Sequence, residues 1–107
     1  MIVTGTDVVE NYLADHAAHK GIKAARSQYQ AWLDIVTRAN WRNPEDVKAS
    51  YPKVSILKAG LVVFNIKGND YRLVVAVDFE KGIVWIKWIG THKDYDKIDV
   101  NEVEHER

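Results

Sequence analysis

The sequence predicts a single α+β domain in which N-terminal helices pack on one face of a small, mainly antiparallel β-sheet. In the first half of the chain, apolar residues recur at helical spacing. From Val54 onward they alternate with polar residues at a period of two. The strand-like segments are joined by short turns, and strands joined in this way run antiparallel. A chain of 107 residues has the size of one domain with one core.

Composition excludes several classes of protein. The chain has no cysteine, which rules out disulfides, a thiol nucleophile and zinc-thiolate sites. The N-terminus lacks the basic and apolar regions of a signal peptide, and no apolar run has membrane-spanning length. We therefore expect a cytoplasmic protein with no membrane partner. The net charge is zero, but residues 40–97 hold ten basic and seven acidic residues, a weak hint of an anionic ligand.

Two or three helices are expected between a short first strand and a meander of about three or four strands. The segment "MIVT" predicts a short first strand, and Asp7 with Glu10 resembles a capping box that opens a helix through about His16. In "NPEDVKASYP", Asn43 is a typical cap and Pro52 ends a short third helix. The second helix is indicated by a stripe at helical spacing made of Ile22, Ala25, Tyr29, Trp32, Ile35, Val36 and Ala39.

The strand segments are "VSIL", "LVVFNIK", "DYRLVVAVDF" and "IVWIKWI". Gly68-Asn69 is typical of a hairpin turn, and closing the chain there sets Asn65 opposite Arg72. Alternation then predicts two faces. The apolar face, which the helices should cover, consists of Val62, Phe64, Ile66, Tyr71, Leu73, Val75 and Val77. The other face consists of Val63, Asn65, Lys67, Arg72, Val74, Ala76 and Asp78.

The polar patch on the second face has two interpretations. It is either an ordinary solvent-exposed surface or an anion site in which Arg72 grips a phosphate with its planar guanidinium. Whether His92 joins the patch depends on the next turn. A three-residue loop at Glu80–Gly82 pairs Arg72 with Gly90 and sends His92 to the same face, whereas a two-residue loop reverses this. By itself, a histidine after a strand is more often a surface or capping residue.

Three segments in order, "NPEDVKASYP", "VVFNIKGNDYRLVV" and "WIGTHKDYDKID", closely resemble HigB-type toxins of bacterial toxin–antitoxin pairs, within the RelE-like mRNA-interferase superfamily. The resemblance extends from about Trp32 to Asp99. It implies the RelE-like fold and an endoribonuclease that cuts messenger RNA, often during translation on the ribosome. It also implies a cognate helix-turn-helix antitoxin (HigA-like) that silences the toxin, with operator DNA bound only through the antitoxin complex.

The resemblance also points to particular residues. It implies catalytic roles for Arg72, His92, Tyr95 and Asp96, and RNA binding by Asn65, Lys67 and Lys97. RNA cleavage without a metal needs a base for the ribose 2′-OH, positive charge on the phosphate and an acid for the leaving 5′-oxygen. His92 is suited to proton transfer, and Arg72 is suited to stabilising the charge on the phosphate. Asp96 is suited to orienting either His92 or Arg72. Tyr95 suits base stacking or proton donation.

We expect no metal and no cofactor. His16 and His19 provide too few ligands for a metal site and are expected on the surface. Trp85 and Trp88 are expected to pack, and because they lie three apart on one strand, Trp85 or Trp88 must face away from the helices. The acidic end, residues 98–107, is expected to be frayed. Two other functions remain open: a non-catalytic RNA- or ribosome-binding module, and a protein-interaction domain bound only by the antitoxin.

Overall fold

A computed structural model describes residues 1–100 of the chain. Its elements are β1 (Ile2–Thr4), α1 (Thr6–Asp15), α2 (Ile22–Arg38), α3 (Pro44–Ser50), β2 (Ser55–Ile56), a 3₁₀ turn (Lys58–Gly60), β3 (Leu61–Ile66), β4 (Tyr71–Asp78), β5 (Ile83–Thr91) and α4 (His92–Tyr95). The strands form one sheet in the order β1-β5-β4-β3-β2. Strand β1 runs parallel to β5 and the other neighbours are antiparallel, so the predicted α+β class is confirmed.

The helices cover one face of the sheet, as alternation predicts. All seven residues assigned to the apolar face are buried in the core. From α2, the Trp32 ring meets Phe64 edge-on at 5.4 Å, and Tyr29 and Val36 are fully buried. Burying a large apolar side chain contributes roughly 1.5–3 kcal/mol, so this layer supplies most of the stability of the fold. Ile35, which was assigned to the same stripe, is 46% exposed and lies outside the core.

Of the two helix caps predicted from the sequence, one is correct and one is wrong. Asn43 caps α3, since its Oδ1 accepts from the Asp46 N–H at 3.0 Å, as expected. The capping box at Asp7 and Glu10 is wrong. Helix α1 begins at Thr6 after Gly5, whose left-handed backbone makes the corner between β1 and α1, and no side chain caps it. None of the helices within residues 1–100 has the length and hydropathy needed to cross a membrane.

The two hairpins place the polar residues. The β3–β4 register pairs Asn65 with Arg72, which confirms the first prediction. The second pairing, Arg72 with Gly90, is also correct, but its expected cause is wrong. The loop has four residues because Asp78 pairs with Ile83, and a β-bulge at residue 87 then restores the expected register.

The bulge also decides where the tryptophans point. Trp85 pairs with Ala76 and Trp88 pairs with Val74, so both lie on the face away from the helices, whereas regular alternation would turn one of them toward the helices. Together with Tyr95, whose ring lies 6.1 Å from that of Trp88, these side chains partly cover a face that was expected to be open. Val63 and Val74 on this face are accordingly buried.

Candidate active site

Arg72 lies near the start of β4, and the preceding turn holds its guanidinium. Nη1 donates to the main-chain oxygens of Asn69 at 3.2 Å and of Tyr71 at 3.3 Å. Nη2 donates to Asn69 Oδ1 at 2.9 Å. These three acceptors fix the plane of the guanidinium, so little side-chain entropy is lost when it binds an anion.

Strand β5 carries His92 to Arg72. Gly90 lies opposite Arg72 in the ladder, and the His92 N–H donates to the Asp70 carbonyl at 2.9 Å. The strand then ends because Thr91 Oγ1 accepts from the Asp94 N–H at 3.1 Å and caps α4. The His92 Nδ1 atom lies 2.8 Å from Arg72 Nη2, which confirms that the two residues share one rim of the sheet.

This contact determines which ring nitrogen of His92 carries the proton. The nitrogens of an arginine side chain donate and do not accept, so Nδ1 is the acceptor. The ring proton therefore lies on Nε2, which is 3.1 Å from Asp96 Oδ2. One hydrogen bond thus joins the Arg72 cation to the His92 imidazole, and a close ionic contact places the Asp96 carboxylate at the other ring nitrogen. The His92 side chain is 42% exposed and that of Asp96 62%, so a substrate can reach both.

Lys67 is not on the face predicted for it. Its backbone is left-handed (φ 55°), which ends the strand alternation, and its side chain crosses to the helix side over Gly21. There Lys67 Nζ donates to Asp70 Oδ2 at 2.6 Å. This hydrogen bond, together with the negative charge of Asp70, raises the pKa of Lys67. Its main-chain N–H donates to Gln28 Oε1 at 2.7 Å, which ties the turn to α2.

The other predicted site residues are less closely grouped. Asn65 is exposed and directly opposite Arg72. The Tyr95 ring packs on Trp88, and within residues 1–100 no side-chain hydrogen bond or ring contact joins it to Arg72 or His92. Lys97 is exposed just after α4, where its main-chain N–H donates to the Asp94 carbonyl. Of the proposed catalytic residues, the structure brings together Arg72, His92 and Asp96.

A groove on the helix side of the rim adds residues that the sequence did not indicate. It has a volume of about 440 Å³, and three lysines line it with His92: Lys20, Lys67 and Lys93. Asp70 is the acidic group in its lining. Lys93 belongs to the segment "GTHKDYD" and could have been found there, whereas Lys20 lies in the α1–α2 connection with no motif around it. Asn69, the main anchor of Arg72, was assigned only to the turn.

Aromatic side chains from α1 pack beside this groove. The Tyr12 ring meets Tyr71 edge-on at 6.3 Å and stacks on His16 at 4.0 Å. His16 Nδ1 lies 2.8 Å from the Tyr12 carbonyl and therefore donates to it. Burial raises the pKa of the Tyr12 hydroxyl, and Tyr71 and Asp94 raise it further. His19 is exposed as predicted, but His16 is half-buried and helps to close the end of α1.

Comparison with known proteins identifies the family. Residues 25–98 match the family model of HigB toxins, described as the RelE-like toxic component of a toxin–antitoxin system. The chain belongs to the HigB toxin family. It is 34% identical over 86 residues to the mRNA interferase toxin HigB of Escherichia coli strain K12, which covers 72% of this chain and 83% of the relative. The mRNA interferases HigB of Escherichia coli O157:H7 and Shigella flexneri match with the same identity and coverage. The family that the sequence motifs predicted is thus confirmed, and the matched segment of this HigB toxin contains Arg72, His92 and Asp96.

Proposed function

We propose that this HigB toxin is an endoribonuclease that cleaves messenger RNA through acid–base chemistry of its own side chains. The observation that carries the proposal is the series of contacts from Arg72 through His92 to Asp96, a hydrogen bond followed by an ionic contact. It combines a fixed cation, a group that can take a proton and a carboxylate that orients it. The cation and the proton acceptor meet two of the three requirements for attack of a ribose 2′-OH on the adjacent phosphate, and the carboxylate assists the proton acceptor.

The reaction begins when the scissile phosphate displaces Nδ1 of His92 from Arg72. The guanidinium, still held by Asn69, then donates from Nη2 to the phosphate oxygens, whose negative charge grows in the transition state. The freed Nδ1 lone pair then accepts the proton of the 2′-OH. Asp96, on the Nε2–H, stabilises the imidazolium that forms, because a carboxylate in this position both orients and charge-balances the ring.

Bond making and breaking balance without a further reactant. The 2′-oxygen forms a bond to phosphorus and the bond to the 5′-oxygen breaks, which leaves a 2′,3′-cyclic phosphate and a 5′-hydroxyl. For the proton of the leaving oxygen we assign Lys93, which lines the groove beside His92. Lys67 is engaged with Asp70, and within residues 1–100 no such ion pair holds Lys93. Lys20 and Lys67 bind the flanking phosphates. Tyr95 and Lys97, which follow His92 in the chain, contact RNA outside the reacting group.

Membership of the family supports a proposal for the setting of the reaction. As the toxic component of a toxin–antitoxin system, the chain is silenced by a cognate antitoxin, which we propose to be a HigA-like helix-turn-helix protein that also connects the pair to operator DNA. The relatives are named as mRNA interferases. We propose that cleavage takes place in the cytoplasm on translating ribosomes, where the messenger lies exposed as a single strand.

The test is to induce the protein briefly in cells and map new 5′ ends of transcripts after phosphorylating 5′-hydroxyl ends. We expect new ends with the parent protein and none with Arg72→Ala or His92→Ala, because each removes one requirement of the chemistry. Arg38→Ala is the matched control, since Arg38 is 80% exposed on α2 and away from the site. Circular dichroism confirms that each variant is folded.

Three results would contradict parts of the proposal. Undiminished cleavage by folded His92→Ala would remove His92 as the base. New ends that can be ligated without phosphorylation would exclude the cyclic-phosphate route. Growth arrest with intact transcripts would favour a non-catalytic RNA- or ribosome-binding module instead.

A further inference from the structure

A second cavity lies on the other side of the β3–β4 turn from the lysine groove. Its volume is about 500 Å³, within the range of small-molecule sites. Its walls are mainly apolar and include Tyr51, Pro52 and Phe64, while the amides of Asn65 and Asn69 stand at the side nearest the turn. This cavity takes no part in the proton transfers described above.

The cavity is continuous with the candidate active site through two residues. Asn69 lines it and also holds Arg72 through both its main-chain oxygen and Oδ1. Asn65 lines it and is the cross-strand partner of Arg72, which places their Cα atoms roughly 5 Å apart. A group bound to the Arg72 guanidinium is therefore next to the opening of the cavity.

The lining has the chemistry of a site for a flat, partly polar ring. The Tyr51 ring is half-buried and held in place by edge contacts with Phe64 at 5.1 Å and Trp41 at 6.4 Å. Burial raises the pKa of Tyr51, so its hydroxyl remains a donor at cellular pH. The exposed amide of Asn65 has both a donor and an acceptor, the pair of groups that hydrogen-bonds the edge of a nucleobase. Lys53 adds a positive charge at the entrance.

We propose that this cavity binds one unstacked nucleobase of the RNA, adjacent to the phosphate held by Arg72. In single-stranded RNA the bases are free to leave the stack, and aromatic side chains with amide neighbours are the usual receptors for them. The inference rests on the proposed nuclease function and adds to it a site that positions the substrate and reads its sequence. Tyr51 provides the stacking surface, and Asn65 provides the hydrogen bonds to the base edge.

The test uses a fluorescent 2′-fluoro RNA dodecamer, which lacks the attacking hydroxyl and cannot be cut, and a series in which each position in turn is abasic. With the parent protein, removal of one particular base should weaken binding about tenfold, which is within the range for one base stacked on an aromatic ring. The intact RNA should bind more weakly to Tyr51→Leu and to Asn65→Ala than to the parent protein. In both variants, removal of that base should weaken RNA binding only slightly further. Because Asn65 is exposed, Asn65→Ala should fold normally and tests the proposal even if Tyr51→Leu is unstable. Asn40→Ala, at an exposed position before α3, is the matched control.

The outcomes separate this inference from the proposed function. If RNA binds but no position stands out, or if the same position stands out undiminished in both variants, no base occupies this cavity and the nuclease proposal is unaffected. If the parent protein binds none of the RNAs, the cavity proposal fails, whereas the nuclease proposal, which places cleavage on translating ribosomes, is still decided by the mapping of 5′ ends.

Discussion

The two faces of the sheet are built on different principles. The face toward the helices is a continuous apolar layer in which all seven of the predicted β3 and β4 side chains are buried. The opposite face has a polar rim formed by Arg72 and His92. Beside the rim, the tryptophan side chains of β5 cover the strands. The first face stabilises the fold, and the second uses that stability to hold a cation and an imidazole 2.8 Å apart. Changes on the first face should therefore affect stability, and changes on the second should affect activity before stability.

The largest loss of stability is expected where a helix meets the covered face. Gly5 has a left-handed backbone (φ 83°), and an added Cβ would lie 2.6 Å from the Ile86 main-chain oxygen in β5. Because a main-chain oxygen within a sheet cannot move aside, Gly5→Ala should lower the free energy of unfolding by about 3 kcal/mol. Urea unfolding followed by circular dichroism measures this change.

Gly82→Ala is the matched control for Gly5. Gly82 also has positive φ (70°), but nothing lies within 4 Å of an added Cβ. Its replacement should cost only the backbone strain, about 1 kcal/mol. Equal losses at the two positions would show that the contact between α1 and β5 is not the reason for glycine at position 5.

A smaller loss of stability with a larger loss of activity is expected at Gly90. An added Cβ would lie 2.5 Å from Cη2 of Trp88, so the indole must move. Gly90 is the ladder partner of Arg72, and the displaced ring would disturb the rim that holds His92. We expect Gly90→Ala to cost about 1.5 kcal/mol in stability and to reduce growth arrest measurably.

A double-mutant cycle with Trp88→Leu checks the cause of the Gly90 effect. Once the indole is gone, Gly90→Ala should cost little further stability, because the two changes act through one contact. If the two losses add in full, the indole is not what requires glycine at position 90.

The sequence predicted the covered face well because alternation and turn chemistry are local. The Gly68-Asn69 turn was enough to place Asn65 opposite Arg72. The partner of Arg72 on β5 was also correct, but through a compensation, since a four-residue loop and a bulge at residue 87 together give the register of a three-residue loop. A bulge leaves no local signature in "IVWIKWI", because it arises from how two strands fit together.

The sequence predicted those site residues whose positions depend on strand pairing. It missed those whose positions depend on the conformation of a turn. Arg72 and His92 follow from the register of the strands. Lys67 does not, since its left-handed backbone sends it to the helix side. The role of Asn69 as the anchor of Arg72 and the position of Lys20 in the groove come from the folded turn and from packing between elements. Neither depends on spacing along the chain. The expectation for residues 101–107 lies outside the described residues. The cavity beside Tyr51 forms where the segment after α3 packs against β3 and the β3–β4 turn, which spacing along the chain does not reveal.

The smallest effect on stability is expected in the core under the helices, at a buried hydroxyl within the apolar layer. The Tyr29 hydroxyl is buried, and within residues 1–100 it has no hydrogen-bond partner. Tyr29→Phe should therefore raise the free energy of unfolding by less than about 1 kcal/mol at neutral pH, since it removes a polar group that folding strips of water. Growth arrest should be unchanged, because the hydroxyl lies on the face away from Arg72.

The same variant makes a sharper prediction at alkaline pH. Burial raises the pKa of Tyr29 from 10.0 to about 12, so the unfolded chain loses this proton before the folded protein does. The stability of the parent should thus fall as pH rises from about 10 toward 12, and Tyr29→Phe should lack this part of the decline. Urea unfolding of both proteins between neutral pH and pH 11 measures the difference, in which titration of all other groups cancels. If the two stabilities decline in parallel, the Tyr29 hydroxyl is reached by water or by a partner, and the covered face is less uniformly apolar than its packing indicates.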